Sequence, residues 1–203
     1  MVRDYALAAS GLLVREIGGP SVRPYQPAGV WSTVAMPQSN TRLYRQDEGE
    51  ALYRRSLYTF WKRSAPPPSL EIFNAPTREH SVVRRERTNT PLQALVTMND
   101  PQFVEASRHL AQRAMRQTGE QFDAGLDFVT LRLLARRFDD VERDIARRSF
   151  EGLVDAYRAD AAEAERLLRV GDSLPDDTLP AAESAAWTML VTQVMNLDEV
   201  LNK

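Results

Sequence analysis

The sequence predicts a mainly α fold: a helical bundle carrying an irregular, partly extended, proline-rich N-terminal half. Three observations lead there. Apolar residues recur at helical spacing through most of residues 90–203, as in Phe128, Leu131, Leu134 and Ala135, then Val141, Ile145, Phe150, Leu153, Val154 and Tyr157. Helix-start chemistry is repeated at Thr90-Pro91, Asp100-Pro101 and Asp139-Asp140. Before residue 90, by contrast, Pro24, Pro27, Pro37 and Pro66 to Pro68 interrupt both the helical and the strand period. The chain accordingly divides into residues 1–89 (one helix, loops and extended pieces, part of a larger domain) and residues 90–203 (the bundle).

Taken in order, Val2, Tyr5, Ala6, Ala9, Leu12 and Leu13 describe an amphipathic helix over residues 2–16, stopped by Gly18, Gly19 and Pro20. The helix begins with almost no lead-in, as though inside a larger folded unit. Residues 21–41 keep neither period and read as a surface-crossing loop anchored by Tyr25 and Trp31. Residues 41–44 and 57–61 then read as the arms of a β-hairpin, since Tyr58, Phe60 and Trp61 favour strands; a short helix over residues 48–55 is the alternative. The triple proline ends this section, and a second loop follows over residues 69–79. Thr90, Pro91 and Gln93 form a capping box with proline at the first helical position, predicting a helix over residues 91–98. Asp100 caps a second over residues 101–117, closed by Gly119. Further helices are expected over residues 122–138, from Asp139 or Asp140, from Asp160 to Gly171, and over residues 180–197.

A chain of 203 residues with 43% hydrophobic content is long enough to bury one good core or a core plus a satellite. No cysteine is present, which excludes disulfides, thiolate metal sites and a thiol nucleophile. No apolar run reaches the roughly 20 residues of a membrane helix, and the first residues do not read as a signal peptide. The net charge of −2 conceals an asymmetry: residues 52–116 carry 11 basic and 5 acidic side chains, residues 117–203 carry 10 and 18. Of the 26 basic residues only Lys62 and Lys203 are lysine, a bias that a GC-rich genome produces without any anion site.

Candidate chemistry concentrates in residues 78–89. Arg78, Arg84, Arg85 and Arg87, with Asn89, immediately precede a helix N-terminus whose free amides favour anions, which is the arrangement a sulfate, phosphate or carboxylate site wants. The competing expectation is structural: Glu71, Glu79 and Glu86, or the acidic C-terminal half, neutralise these arginines in salt bridges. His80 and Glu79 are the candidate acid/base groups, and His109 is the second histidine; isolated histidines of this kind are more often structural. Asn99 with Asp100 offers oxygen ligands, but helix capping accounts for Asp100, so no metal site and no cofactor are expected in this chain. Arginines interleaved with Tyr58, Trp61 and Phe73 suggest single-stranded nucleic acid only weakly. Gly-rich phosphate loops, nucleophile elbows and HExxH motifs are absent from the sequence.

The stretch LYRRSLYTFWKRSAPPPSLEIFNAPTREHSVVRRERTNTPLQALVTMNDPQFVEASR, residues 52–108, resembles a bacterial family: the C-terminal domain of unknown function 1553 of planctomycete and verrucomicrobial proteins that often also carry a cytochrome c-like domain. Weaker agreement runs through GGPSV at residues 18–22, GVW at 29–31 and AAWTMLVTQVMNLDEVL at 185–201. The resemblance implies an exported protein, periplasmic or at the cell surface, working with other domains of a longer polypeptide and linked to polysaccharide degradation or electron transfer. It also implies that the chain is a C-terminal portion of that domain. Many relatives carry cysteine where this chain has Ser81, so no thiol role transfers, and the haem-binding CxxCH belongs to another domain. Two functions are therefore expected to compete: a structural or interaction module, and an enzyme or binding domain for an anionic polysaccharide.

Overall fold

The computed structural model describes residues 2–84, 86–119 and 121–202. Among them ten α-helices follow one another: α1 (Val2–Ser10), α2 (Val30–Val34), α3 (Pro68–Ile72), α4 (Pro91–Asn99), α5 (Pro101–Thr118), α6 (Phe122–Leu133), α7 (Asp140–Ala159), α8 (Ala161–Leu168), α9 (Ala181–Met195) and α10 (Asp198–Leu201). Two 3-10 turns, Gly49–Tyr53 and Ser56–Tyr58, lie between α2 and α3.

The bundle is built on α5, which packs against α1, α4, α6 and α9. Its Ala106, Ala111 and Ala114 are wholly buried, so neighbouring backbones approach closely and Phe103 and Leu110 fill the space between. On the far side α9 carries α7 and α8. Phe122, Phe150 and Trp187 close that layer, their ring centroids 5.0 to 5.3 Å apart. Gly125 leaves room for the indole, since a Cβ there would stand 2.9 Å from Trp187.

The capping signals act as their chemistry predicts. Thr90 Oγ1 accepts from Gln93 N while Gln93 Oε1 accepts from Thr90 N. Asp139 and Glu142 form the same reciprocal pair at α7, and Asp100 Oδ1 accepts from Gln102 N at α5.

Several boundaries differ from expectation, each for a local reason. The first helix ends at Ser10, not residue 16, because Gly11 turns at φ +87° and Arg113 Nη1 donates to Ala9 O there. Val14 then runs extended, its N–H donating to Tyr53 O. Similarly α6 stops at Leu133, where Tyr5 Oη donates to Leu133 O at 2.6 Å and Ala135 turns at φ +61°. Pro68 starts α3 inside the stretch expected to be loop, since proline fits a first helical turn.

The β-hairpin does not form. Among the described residues there is no strand, only isolated parallel bridges Val14–Arg54 and Val22–Thr59. Residues 57–61 pair instead with Val22, which donates to Tyr58 O and accepts from Phe60 N. The helical alternative is closer: Gly49–Tyr53 is a 3-10 turn because Leu52 and Tyr53 are drawn into a satellite core with Leu7.

Two buried arginines serve this half in place of a sheet. Arg3 donates to Gln102 Oε1, Arg54 O and Leu52 O at 2.6, 2.8 and 2.6 Å. Arg54 donates to the carbonyls of Pro20 and Gly18 and lies 4.0 Å from the Tyr58 ring centroid. Carbonyls with no ladder to join are thereby satisfied by guanidinium groups. As expected, Trp31 anchors the long loop: it is buried, edge-on to Tyr44 at 4.8 Å.

Candidate functional site

The arginine-bearing segment is a surface strap fastened at both ends. At its start Arg78, at φ +65°, lies over Trp61 with its guanidinium carbon 4.8 Å from the ring centroid. Glu79 is engaged by Arg63 through two hydrogen bonds of 2.5 Å, an exposed ion pair. At its end Asn74 Nδ2 donates to Thr88 Oγ1 at 2.8 Å, Arg87 Nη1 to Asn202 O at 3.1 Å and Asn89 Nδ2 to Asp198 Oδ1 at 3.0 Å. The last two tie the strap to α10.

Between these fastenings His80, Ser81, Val82, Val83 and Arg84 are exposed. Arg84 makes no ion pair with a described residue, and Arg85 lies outside the described residues. The predicted anion-binding set is thus spread out: Arg78 is on an aromatic ring, Arg87 and Asn89 are on α10, and Arg84 is in solvent. None of Arg78, Arg84 or Arg87 lines any of five clefts seen among the described residues. His80 has no described partner that would orient it, and Glu79 is spent on Arg63.

The concentration of buried charge lies elsewhere, where sequence reading did not place it. Glu105 and Arg108 on α5 are both fully buried, with Arg108 Nη2 3.7 Å from Glu105 Oε1. The carboxylate accepts from Tyr25 Oη and Tyr53 Oη at 2.9 Å each, from Ser173 N at 2.7 Å and from Ser173 Oγ at 2.6 Å. Arg108 Nη2 donates onward to Ser173 O at 2.6 Å, while its Nε and Nη1 have no partner. Burial, and then the Glu105 charge, push the Tyr53 phenol up to about 12 and the Tyr25 phenol higher still. Both tyrosines are therefore fixed donors at neutral pH. Gly171 makes room for this cluster: at φ +99°, a Cβ there would stand 2.6 Å from Glu105 Oε1.

The cluster joins the loop at Tyr25, the turn at Tyr53, the 169–179 connection and α5, with both phenols and Ser173 aimed at one carboxylate. Such an arrangement positions; it exposes no reacting group. The i, i+3 spacing of Glu105 and Arg108 was the sequence signal available for it. His109, half-buried beside them, is pushed toward the neutral form by desolvation and then by the Arg108 charge. Asp100 acts as the expected cap, and no group of three or more metal-binding side chains occurs among the described residues. Nor is any described helix long and apolar enough to cross a membrane.

The family model described as PSD1, protein of unknown function (DUF1553), matches residues 1–150. No curated protein and no solved structure matches the chain.

Proposed function

The chain belongs to the PSD1 family of proteins of unknown function (DUF1553), and from that premise we propose that it is an interaction module of a larger exported bacterial protein rather than a catalyst. The observation that carries this reading is the fastened strap. Its two ends are fixed to Trp61 and to α10, while Val82, Val83 and Arg84 between them face solvent. A loop ordered at its ends but presenting apolar and cationic side chains outward suits recognition, and it offers no enclosed space for chemistry.

The outer face of α4 continues this surface with Leu92 and Leu95, 55% and 57% exposed, and Met98. An apolar stripe beside unneutralised arginines matches an acidic protein segment with an apolar face, docked as a helix would be. Arg84, unpaired with any described residue, also suits the second reading, an anionic polysaccharide.

The test uses two probes, an acidic amphipathic helical peptide and heparin, titrated by calorimetry across a salt series. The interaction reading expects peptide binding that weakens roughly tenfold or more in both Leu92→Ser and Arg84→Glu. Heparin binding lost in Arg84→Glu alone, with no peptide binding, would transfer the conclusion to the polysaccharide. Absence of both, with helicity unchanged, would refute the strap as a binding surface.

A further inference from the structure

Beneath α4 lies a cleft of about 500 Å³, bounded by the start of α5, by α3 and by the loop after Tyr25. That volume falls within the roughly 300 to 1,000 Å³ typical of small-molecule sites. Its walls are largely aliphatic, from Pro27, Pro68, Ile72, Leu95, Val96 and Pro101.

The polar groups on these walls are few and of both kinds. Gln26 belongs to the wall, but its Nε2 is screened from solvent and so from anything in the cleft. Ser69 Oγ accepts from Gln102 Nε2 at 3.3 Å, which leaves its own O–H to donate. Asn99 Nδ2 donates to Leu95 O at 2.8 Å, so its Oδ1 is left as an acceptor. Asp100 is the single charged side chain on the lining, and no arginine or lysine is present there.

From this lining we infer that the cleft is a binding site for a neutral polyhydroxylated ligand, a sugar unit of one or two rings. A hydroxyl both donates and accepts, so it can serve the Ser69 donor and the Asn99 and Asp100 acceptors together. The aliphatic C–H faces of a sugar ring meet the proline, isoleucine, leucine and valine walls. An anionic ligand would meet the Asp100 carboxylate, offset only in part by Arg3 behind it, and would find no arginine or lysine on the lining, so sulfated or carboxylated sugars are disfavoured here. An ammonium would leave the Ser69 donor unmet. No strap residue lines the cleft, although Leu95 belongs both to its wall and to the exposed face of α4.

Cellobiose, maltose and mannobiose, each titrated into the intact chain up to about 10 mM and followed by thermal shift and calorimetry, test the inference. At least one should bind, and glucuronate should not. Ser69→Ala and Asn99→Leu should each weaken that binding by up to about tenfold, with circular dichroism unchanged. Ile72→Trp, which fills the cleft, should abolish binding while leaving the strap's response to peptide and heparin intact. The inference fails if no disaccharide binds, if Ser69→Ala binds as well as the parent, if glucuronate binds equally, or if a proline-rich peptide occupies the cleft instead.

Discussion

Truncation of Glu105 to alanine should remove much of the protein's stability. The carboxylate is fully buried and receives four hydrogen bonds, two from phenols and two from Ser173, at 2.6 to 2.9 Å. Its loss leaves Arg108 buried without a counter-charge, a change that costs about 3–5 kcal/mol when one partner of a buried pair is removed. The stranded Tyr25, Tyr53 and Ser173 donors add a cost of about 1–3 kcal/mol each, less whatever water entering the space restores. A net loss of about 4 kcal/mol or more follows, against a total of about 5–15 kcal/mol for a domain of ordinary stability. Urea unfolding followed by circular dichroism, with the slope checked for constancy, measures it. The control is the double variant Glu105→Leu with Arg108→Met, which replaces the pair by apolar groups of similar size. It should be more stable than the sum of the singles predicts by about 2 kcal/mol. A single-variant loss below about 1 kcal/mol, or strict additivity in the double variant, would refute the view of Glu105 as the hub joining four segments.

Gly171→Ala should destabilise by about 1–3 kcal/mol, because alanine is strained at φ +99° and its Cβ would collide with the Glu105 carboxyl; thermal unfolding reads this directly. Thr90→Ala should cost about 1 kcal/mol through loss of the α4 cap while Thr90→Ser retains it, again by urea unfolding. Glu142 is held down to about 2 from an ordinary 4.5 by hydrogen bonds from Arg136. A carboxylate depressed on folding contributes its stability above its unfolded pKa and loses it as pH falls through the folded value. The stability difference between the parent and Glu142→Gln should therefore be full above pH 4.5 and vanish by about pH 2. The pair is largely solvent-accessible, so the difference should not exceed about 1 kcal/mol and should shrink with salt. Thermal melts across that pH range at low and high salt check both statements.

What was legible in the sequence is what local chemistry alone decides. Thr90 with Gln93, Asp100 and Asp139 with Glu142 form caps within four residues of chain, and each does in the structure what its side chain predicts. The apolar stripes were legible only in part: Phe128, Leu134 and Val154 are buried as read, whereas Leu131, Val141 and Ile145 face outward. The irregular half was harder because distant groups decide it. Tyr58 and Phe60 have strand propensity, yet the backbone they pair with is Val22, chosen by the parallel approach of two loops and not by a turn between neighbours. Gly11 ends the first helix in concert with Arg113, more than a hundred residues away. For the site, arginine density drew attention to residues 78–87, whereas density does not distinguish a guanidinium lying on Trp61 from one buried against a carboxylate. Glu105 and Arg108 look like an ordinary surface pair on α5 until Tyr25, Tyr53 and Ser173 are brought to them from three other parts of the chain.

The substitution of guanidinium groups for a sheet in the N-terminal half has a consequence in time. Arg3 reaches partners 49, 51 and 99 residues away, and none of those three bonds can form until long loops have closed. Closure of a loop of that length must precede any return from its contacts, whereas the helices of residues 91–201 can begin on neighbours a turn away. Refolding should therefore run in two stages, with helical signal recovered first and burial of Trp31 later. In the native state the order reverses: amides of residues 12–60 should exchange with solvent through openings that leave α5 and α9 protected. An arginine whose reach spans a quarter to a half of the chain is thus a late clasp, and it sets which part of the molecule opens without unfolding the rest.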